Sequence, residues 1–120
     1  MTDRELYEQA VAIAARAYAP YSRFYVGAVL QTRDGRVFEG VNVENAAYPL
    51  GVCAEKSALT TAVTSGVRPG EIEVIAITAS PCGGCRQWLA EFGIDRVVYA
   101  NAGEVRTTTP AELLPDTFEL

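Results

Sequence analysis

Arg96-Val97-Val98-Tyr99-Ala100 and Glu104-Val105-Arg106-Thr107-Thr108 are two β-favouring runs separated by Asn101-Ala102-Gly103, three turn-forming residues. A parallel return to the same sheet takes a crossover of a dozen or more residues, and three leave no room for one. The last two strands are therefore expected to be antiparallel. Before them, Gly84 to Phe92 reads as a helix stopped at Gly93, and Glu73 to Thr78 as a short, nearly all-apolar strand. Ala54 to Ser65 carries Ala58, Leu59, Ala62 and Val63 at helical spacing, with Gly66 placed to end it. Val26 to Thr32 and Arg36 to Val43, joined by Arg33-Asp34-Gly35, form a hairpin pattern. At the start, Thr2-x-x-Glu5 is a capping box, and Leu6, Ala10, Ile13, Ala14 and Ala17 recur at helical spacing until Pro20. Leu113 and Leu114 follow Pro110 in a brief helical turn. The order contains no repeat, linker or low-complexity stretch. It predicts a single domain over residues 1–120, a three-layer α/β/α arrangement around one mixed five-stranded sheet.

Composition narrows the function. The chain has 120 residues, 49% apolar and 21% charged, enough for one core that removes roughly two-thirds of the unfolded surface from water. No apolar run reaches the length of a membrane span. Met1-Thr2-Asp3-Arg4-Glu5 leads straight into the helical pattern with no leader-like segment, so a cytoplasmic location is expected. The net charge is −5 and the basic residues are scattered, which argues against a nucleic-acid partner. Three cysteines in such a chain point to metal binding or catalysis rather than to a disulfide framework. There is no histidine, so any metal is held by cysteine or carboxylate.

The cysteines fall in two clusters. Cys53-Ala54-Glu55 opens one predicted helix and Pro81-Cys82-Gly83-Gly84-Cys85 opens another. A helix N-terminus favours anions, so this placement is expected to pre-ionise all three thiols as zinc ligands. Three protein ligands leave a fourth position open, which is the catalytic rather than the structural arrangement. Glu55 lies two residues from Cys53, within reach of the metal site without being part of it, in the place of a proton carrier. Taken alone, Cys82-x-x-Cys85 fits a redox pair or half of a zinc ribbon equally well, and Glu55 alone reads as a helix-surface residue.

Cys53-Ala54-Glu55 with Ser80-Pro81-Cys82-Gly83-Gly84-Cys85-Arg86-Gln87 and Asn42-Val43-Glu44-Asn45-Ala46 resembles the cytidine deaminase family, whose members carry a ligand-x-Glu followed by Pro-Cys-x-x-Cys. Tyr21-Ser22-x-Phe24-x-Val26-Gly27-Ala28 and Glu112-Leu113-Leu114-Pro115 are similar to that family's small homotetrameric branch, so the likeness spans nearly the whole chain. The resemblance implies hydrolytic deamination of cytidine and 2'-deoxycytidine to the uridines and ammonia, a step of pyrimidine salvage. It implies one Zn2+ per subunit on Cys53, Cys82 and Cys85, and a zinc-activated water attacking C4 while Glu55 shuttles protons. It further implies that Asn42 and Glu44 hold the ribose, that Phe24 packs on the pyrimidine with Ala54 also in the substrate site, and that Tyr48, Gly51 and Phe118 complete the pocket of a neighbouring subunit. Asn42 and Glu44, two apart on an extended segment, share a face suited to gripping a sugar hydroxyl.

The chain departs from the family's pattern in three places. Lys56, its only lysine, stands where an arginine usually follows the catalytic glutamate. Three thiolates on a divalent metal sum to −1, and Lys56 keeps the compensating charge but lacks the planar fork. The Thr78-Ala79-Ser80 link before Pro81 is short, and Pro49 stands where relatives often have a small residue. A polynucleotide or tRNA deaminase would be expected to show His-Ala-Glu and a basic surface, and neither is present. A cytosine-bearing antibiotic nucleoside as substrate and a non-enzymatic zinc or thiol-redox protein are the other readings.

Overall fold

Thr2 caps the first helix as its sequence predicts: its hydroxyl accepts from the Glu5 N–H at 3.1 Å while Glu5 Oε1 accepts from the Thr2 N–H at 2.8 Å. A computed structural model describes residues 1–120, and in chain order the elements are α1 (Asp3–Ala14), β1 (Gly27–Thr32), β2 (Val37–Val41), a single 3-10 turn (Tyr48–Leu50), α2 (Ala54–Thr64), β3 (Ile72–Ile77), α3 (Gly83–Phe92), β4 (Arg96–Asn101), β5 (Glu104–Thr108) and α4 (Pro110–Leu113). The sheet order is β2-β1-β3-β4-β5. Only β3 and β4 run parallel, with α3 as their crossover, and β5 returns antiparallel to β4. The mixed five-stranded sheet expected from the sequence is the one observed.

Strand alternation divides the core in two. Along β1, Ala28 and Leu30 point to one face and Val29 to the other. The larger core lies under α2 and α3, with Leu59, Ile75, Ile77, Leu89 and Val97 among its fully buried members. The smaller lies under α1, where Leu6, Ala10 and Ile13 pack on Val29, Val74, Ala76 and Val98. Two glycines bring helices close to this sheet. A Cβ on Gly27 would sit 2.1 Å from the Ala10 carbonyl oxygen of α1, and one on Gly40 would sit 2.2 Å from the Ala58 nitrogen and 2.5 Å from the Ala54 oxygen of α2. Both approaches exist only because these positions have no side chain.

One expectation fails. The alanine-rich pattern predicts a first helix running towards Pro20, whereas α1 ends at Ala14. Beyond it the backbone has better partners: the Tyr18 N–H donates to the Asn42 carbonyl at 3.0 Å and the Glu44 N–H donates to the Tyr18 carbonyl at 2.8 Å. Ala19 is buried in this extended crossing. Tertiary hydrogen bonds outweigh helix propensity here, and they bring Tyr21 to Phe24 beside Asn42 and Glu44.

Candidate active site

All three thiols sit at helix starts on the same side of the sheet. Cys53 is the N-cap of α2, Cys82 the N-cap of α3, and Cys85 lies in the first turn of α3. Their Sγ atoms lie within 4.8 Å of one another. Sulfurs about 2.3 Å from a tetrahedral zinc stand about 3.8 Å apart, so a small closing movement suffices to ligate the ion. The donor set fits zinc, and no fourth Cys, His, Asp or Glu joins it. The loop leading to Cys82 is fastened by Arg86, whose Nε donates to the Pro81 carbonyl at 2.9 Å, with Nη1 on the Leu113 carbonyl at 3.0 Å and Nη2 on Ser80 Oγ at 3.4 Å. The Cys85 N–H donates to Cys82 Sγ at 3.4 Å.

Cys53 and Cys85 shift in opposite directions, whereas position at a helix start alone is expected to lower both. Crowded thiols share protons before metal binds. Cys53 falls to about 6, because the Cys85 and Cys82 thiols donate to it and the Lys56 charge is nearby. Cys85 moves the other way: it keeps its proton for the Cys53 sulfur, is buried, and faces the negative charges of Glu55 and Cys53. Incoming zinc would displace that proton.

Glu55, in the first turn of α2, is only 4% exposed. Burial pushes its carboxyl above the ordinary 4.5 and the neighbouring Cys53 thiolate adds to the rise, with its own backbone N–H and Lys56 opposing. Together with Cys53, Cys82 and Ala54 it lines a cleft of about 600 Å3 that opens to the surface. Phe24, Asn42, Glu44, Tyr48 and Gly51 line the same cleft. Phe24 is 61% exposed at its mouth, so it is not the core residue that its apolar character alone would suggest. Tyr48, 88% exposed, and Gly51 stand at the rim of this chain's own cleft. Phe118 does not line it. The C-terminal segment carries Phe118 to a separate hollow beside Ala90 and Glu91, where its carbonyl accepts from Gln87 Nε2 at 3.3 Å.

The polar wall is strongly preorganised. Asn42 Oδ1 accepts from the Val26 N–H and its Nδ2 donates to the Phe24 carbonyl, both at 2.8 Å. One amide hydrogen and one lone pair remain for a ligand. Glu44 Oε1 accepts from the Tyr21 and Ser22 N–H groups at 3.0 and 3.1 Å, and the Ser22 hydroxyl donates to Oε2. These donors, Ser22 first, hold the Glu44 carboxyl below its usual range. Ser22 and Arg86 fasten the cleft wall and the thiol loop, contacts that residue spacing did not reveal, since each reaches a segment distant in sequence. Only the motifs containing them hinted at a use. Lys56 lies at the start of α2 with its Nζ 5.7 Å from the centre of the Trp88 ring.

Known proteins share this arrangement. Residues 1–101 match the family model describing the cytidine and deoxycytidylate deaminase zinc-binding region. The chain is 46% identical to a cytidine deaminase of Sporosarcina psychrophila, over 86% of this chain and 81% of that one. With a cytidine deaminase of Halalkalibacterium halodurans it shares 43% identity over 97% and 94% of the two chains. The crystal structure of cytidine deaminase from Burkholderia pseudomallei superposes with a TM-score of 0.91 at 48% identity, covering 98% of this chain and all of that one. The Mycobacterium tuberculosis enzyme gives 0.84 at 35% identity, covering 100% and 99%. Sequence, fold and the three-thiol cluster agree: this chain belongs to the cytidine and deoxycytidylate deaminase family and is a zinc-dependent hydrolytic enzyme.

Proposed function

We propose that the protein hydrolyses the 4-amino group of cytidine and 2'-deoxycytidine, giving uridine or 2'-deoxyuridine and ammonia. The observation that carries this reading is a buried carboxylate, Glu55, lining one cleft with two of three clustered thiols, Cys53 and Cys82. Cys53, Cys82 and Cys85 would hold the zinc. When bound, the ion supplies the Lewis acidity that makes a water nucleophilic near neutral pH. Glu55 takes one proton from the attacking water and passes it to ring N3, then takes the second from the hydroxyl added at C4 and delivers it to the departing amine, which leaves as ammonia. A carboxyl with its pKa raised by burial is suited to both directions of that traffic. Asn42 and Glu44 offer their remaining hydrogen-bond sites to the ribose, with Ser22 fixing the Glu44 carboxylate. Phe24 lies against the pyrimidine and Ala54 borders it.

The active assembly in this reading is a homotetramer. The exposed Tyr48 and the half-buried Gly51 at the rim, and Phe118 set apart from its own cleft, would meet a neighbouring copy and close the pocket. No helix of the chain is long and apolar enough to cross a membrane, and a nucleoside in the cytoplasm is the substrate proposed. The test is the ultraviolet change on offering cytidine, deoxycytidine, cytosine and deoxycytidylate to the zinc-loaded protein. The two nucleosides are expected to turn over. Glu55→Gln is expected to lose about 10²–10⁴-fold in kcat while retaining zinc. Full activity in that variant would remove Glu55 from the mechanism.

A further inference from the structure

Lys56 is the chain's only lysine, and its ammonium belongs to none of the molecule's salt bridges. The group that meets it is the face of Trp88, with Nζ 5.7 Å from the ring centre. That distance lies within the roughly 6 Å over which a ring quadrupole attracts a cation, and indole does so best. The two residues come from the two helices that carry the thiols. Lys56 is in the first turn of α2, next to Glu55 and three residues after Cys53, and Trp88 is three residues beyond Cys85 on α3, the spacing that places both on one face. The ring itself is fixed. It stacks on Phe92, with centroids 6.4 Å apart and planes 9° from parallel, and packs against the main core.

A lysine on a four-carbon stem has many rotamers and no planar fork with which to address a particular sulfur. Three thiolates around a divalent ion nevertheless carry a surplus negative charge that a fixed cation would offset. We propose that Trp88 is a positioning residue, its indole face holding the Lys56 ammonium beside the Cys53, Cys82 and Cys85 cluster, so that the lysine stabilises the zinc-loaded site. The inference rests on the reading of these cysteines as zinc ligands.

Zinc release to a chromogenic chelator from the holoprotein tests it, using Lys56→Met, Trp88→Leu, Trp88→Phe and the double variant Lys56→Met/Trp88→Leu. Each of the first two is expected to release zinc about three- to tenfold faster than the parent, the scale of a partly desolvated cation–π contact. The double variant should be no faster than Lys56→Met, because the ring acts through the lysine. Trp88→Phe, which keeps a π face, should fall between Trp88→Leu and the parent. Since Trp88 is the only tryptophan, Lys56→Met should also alter the emission of the folded protein. Multiplying effects in the double variant, which a purely structural role for Trp88 produces, would overturn the proposal, as would unchanged release from Lys56→Met. A parent protein that binds no stoichiometric zinc, or keeps it after Cys53→Ser, would instead sink the ligand reading beneath it.

Discussion

Glu55 and Cys53 are separated by one alanine, yet their surroundings drive them in opposite directions. Neighbouring thiols pull Cys53 down to about 6, while burial and the Cys53 charge push Glu55 up. One becomes a ready anion and the other a carboxyl that holds its proton more tightly than an ordinary glutamate. Lys56 acts on both, favouring the charged form of each. Lys56→Ala is accordingly expected to lower kcat by about tenfold, the equivalent of one pKa unit, whereas Lys56→Arg keeps the charge and should stay within about threefold. Steady-state rates of the zinc-loaded variants decide this, and equal, unchanged rates would remove the role. The thiol cluster and the buried carboxyl beside it were legible in the sequence because Cys-x-Glu and Cys-x-x-Cys place them locally. Ser22 and Arg86 were not, because their partners Glu44 and Leu113 lie 22 and 27 residues away. The opposed shifts of Cys53 and Cys85 were equally invisible, being a property of sulfurs brought together by the fold.

The elements were mostly readable for the same reason. Period-2 and helical patterns, the capping box and the turn after β4 are short-range signals, and each corresponds to an observed element. The end of α1 is not encoded locally, because it is set by hydrogen bonds between Tyr18 and the segment after β2. At its other end α1 is tied to β4 by Asp3, whose carboxylate accepts from Arg96 Nε and Nη2 at 2.7 and 2.8 Å. Arg96 holds the Asp3 carboxyl below its ordinary 3.8. A depressed acid contributes stability above its unfolded pKa and loses it as pH falls through the folded one. Asp3→Asn should therefore lower the thermal midpoint at pH 7, by no more than about 1 kcal/mol for a pair this exposed, and the gap should close on acidification below 3.8. Paired melts at the two pH values check the sign. Gly40→Ala places a methyl against the backbone of α2 and is expected to cost about 2–3 kcal/mol by urea denaturation, with weaker zinc retention because α2 carries Cys53.

At the scale of the whole molecule, the thiol cluster joins elements that follow one another only indirectly. β3 lies between α2 with Cys53 and α3 with Cys82 and Cys85 in the chain, so an ion on the three sulfurs cross-links the two helices above the sheet. The unfolded chain has no such site, and binding energy adds to folding energy. At free zinc about a thousandfold above the dissociation constant the gain is about 4 kcal/mol, so chelation should lower Tm by about 10 °C or more. Calorimetry with and without chelator measures it, and identical curves would mean that the ion bears no structural load.

The β1–β2 hairpin is where the helices on opposite faces come closest to the strands, against Gly27 on one side and Gly40 on the other. At both, the nearest atoms are helix backbone, Ala10 on one side and Ala54 and Ala58 on the other, and backbone cannot be exchanged for something slightly larger or smaller. The spacing of the catalytic helix from the sheet is thus not something gradual substitution can retune. For an engineer seeking a different base or sugar, the residues open to redrawing are those of the cleft rim, from Tyr21 to Phe24 and from Tyr48 to Gly51, while the hairpin beneath is best transplanted whole or left alone.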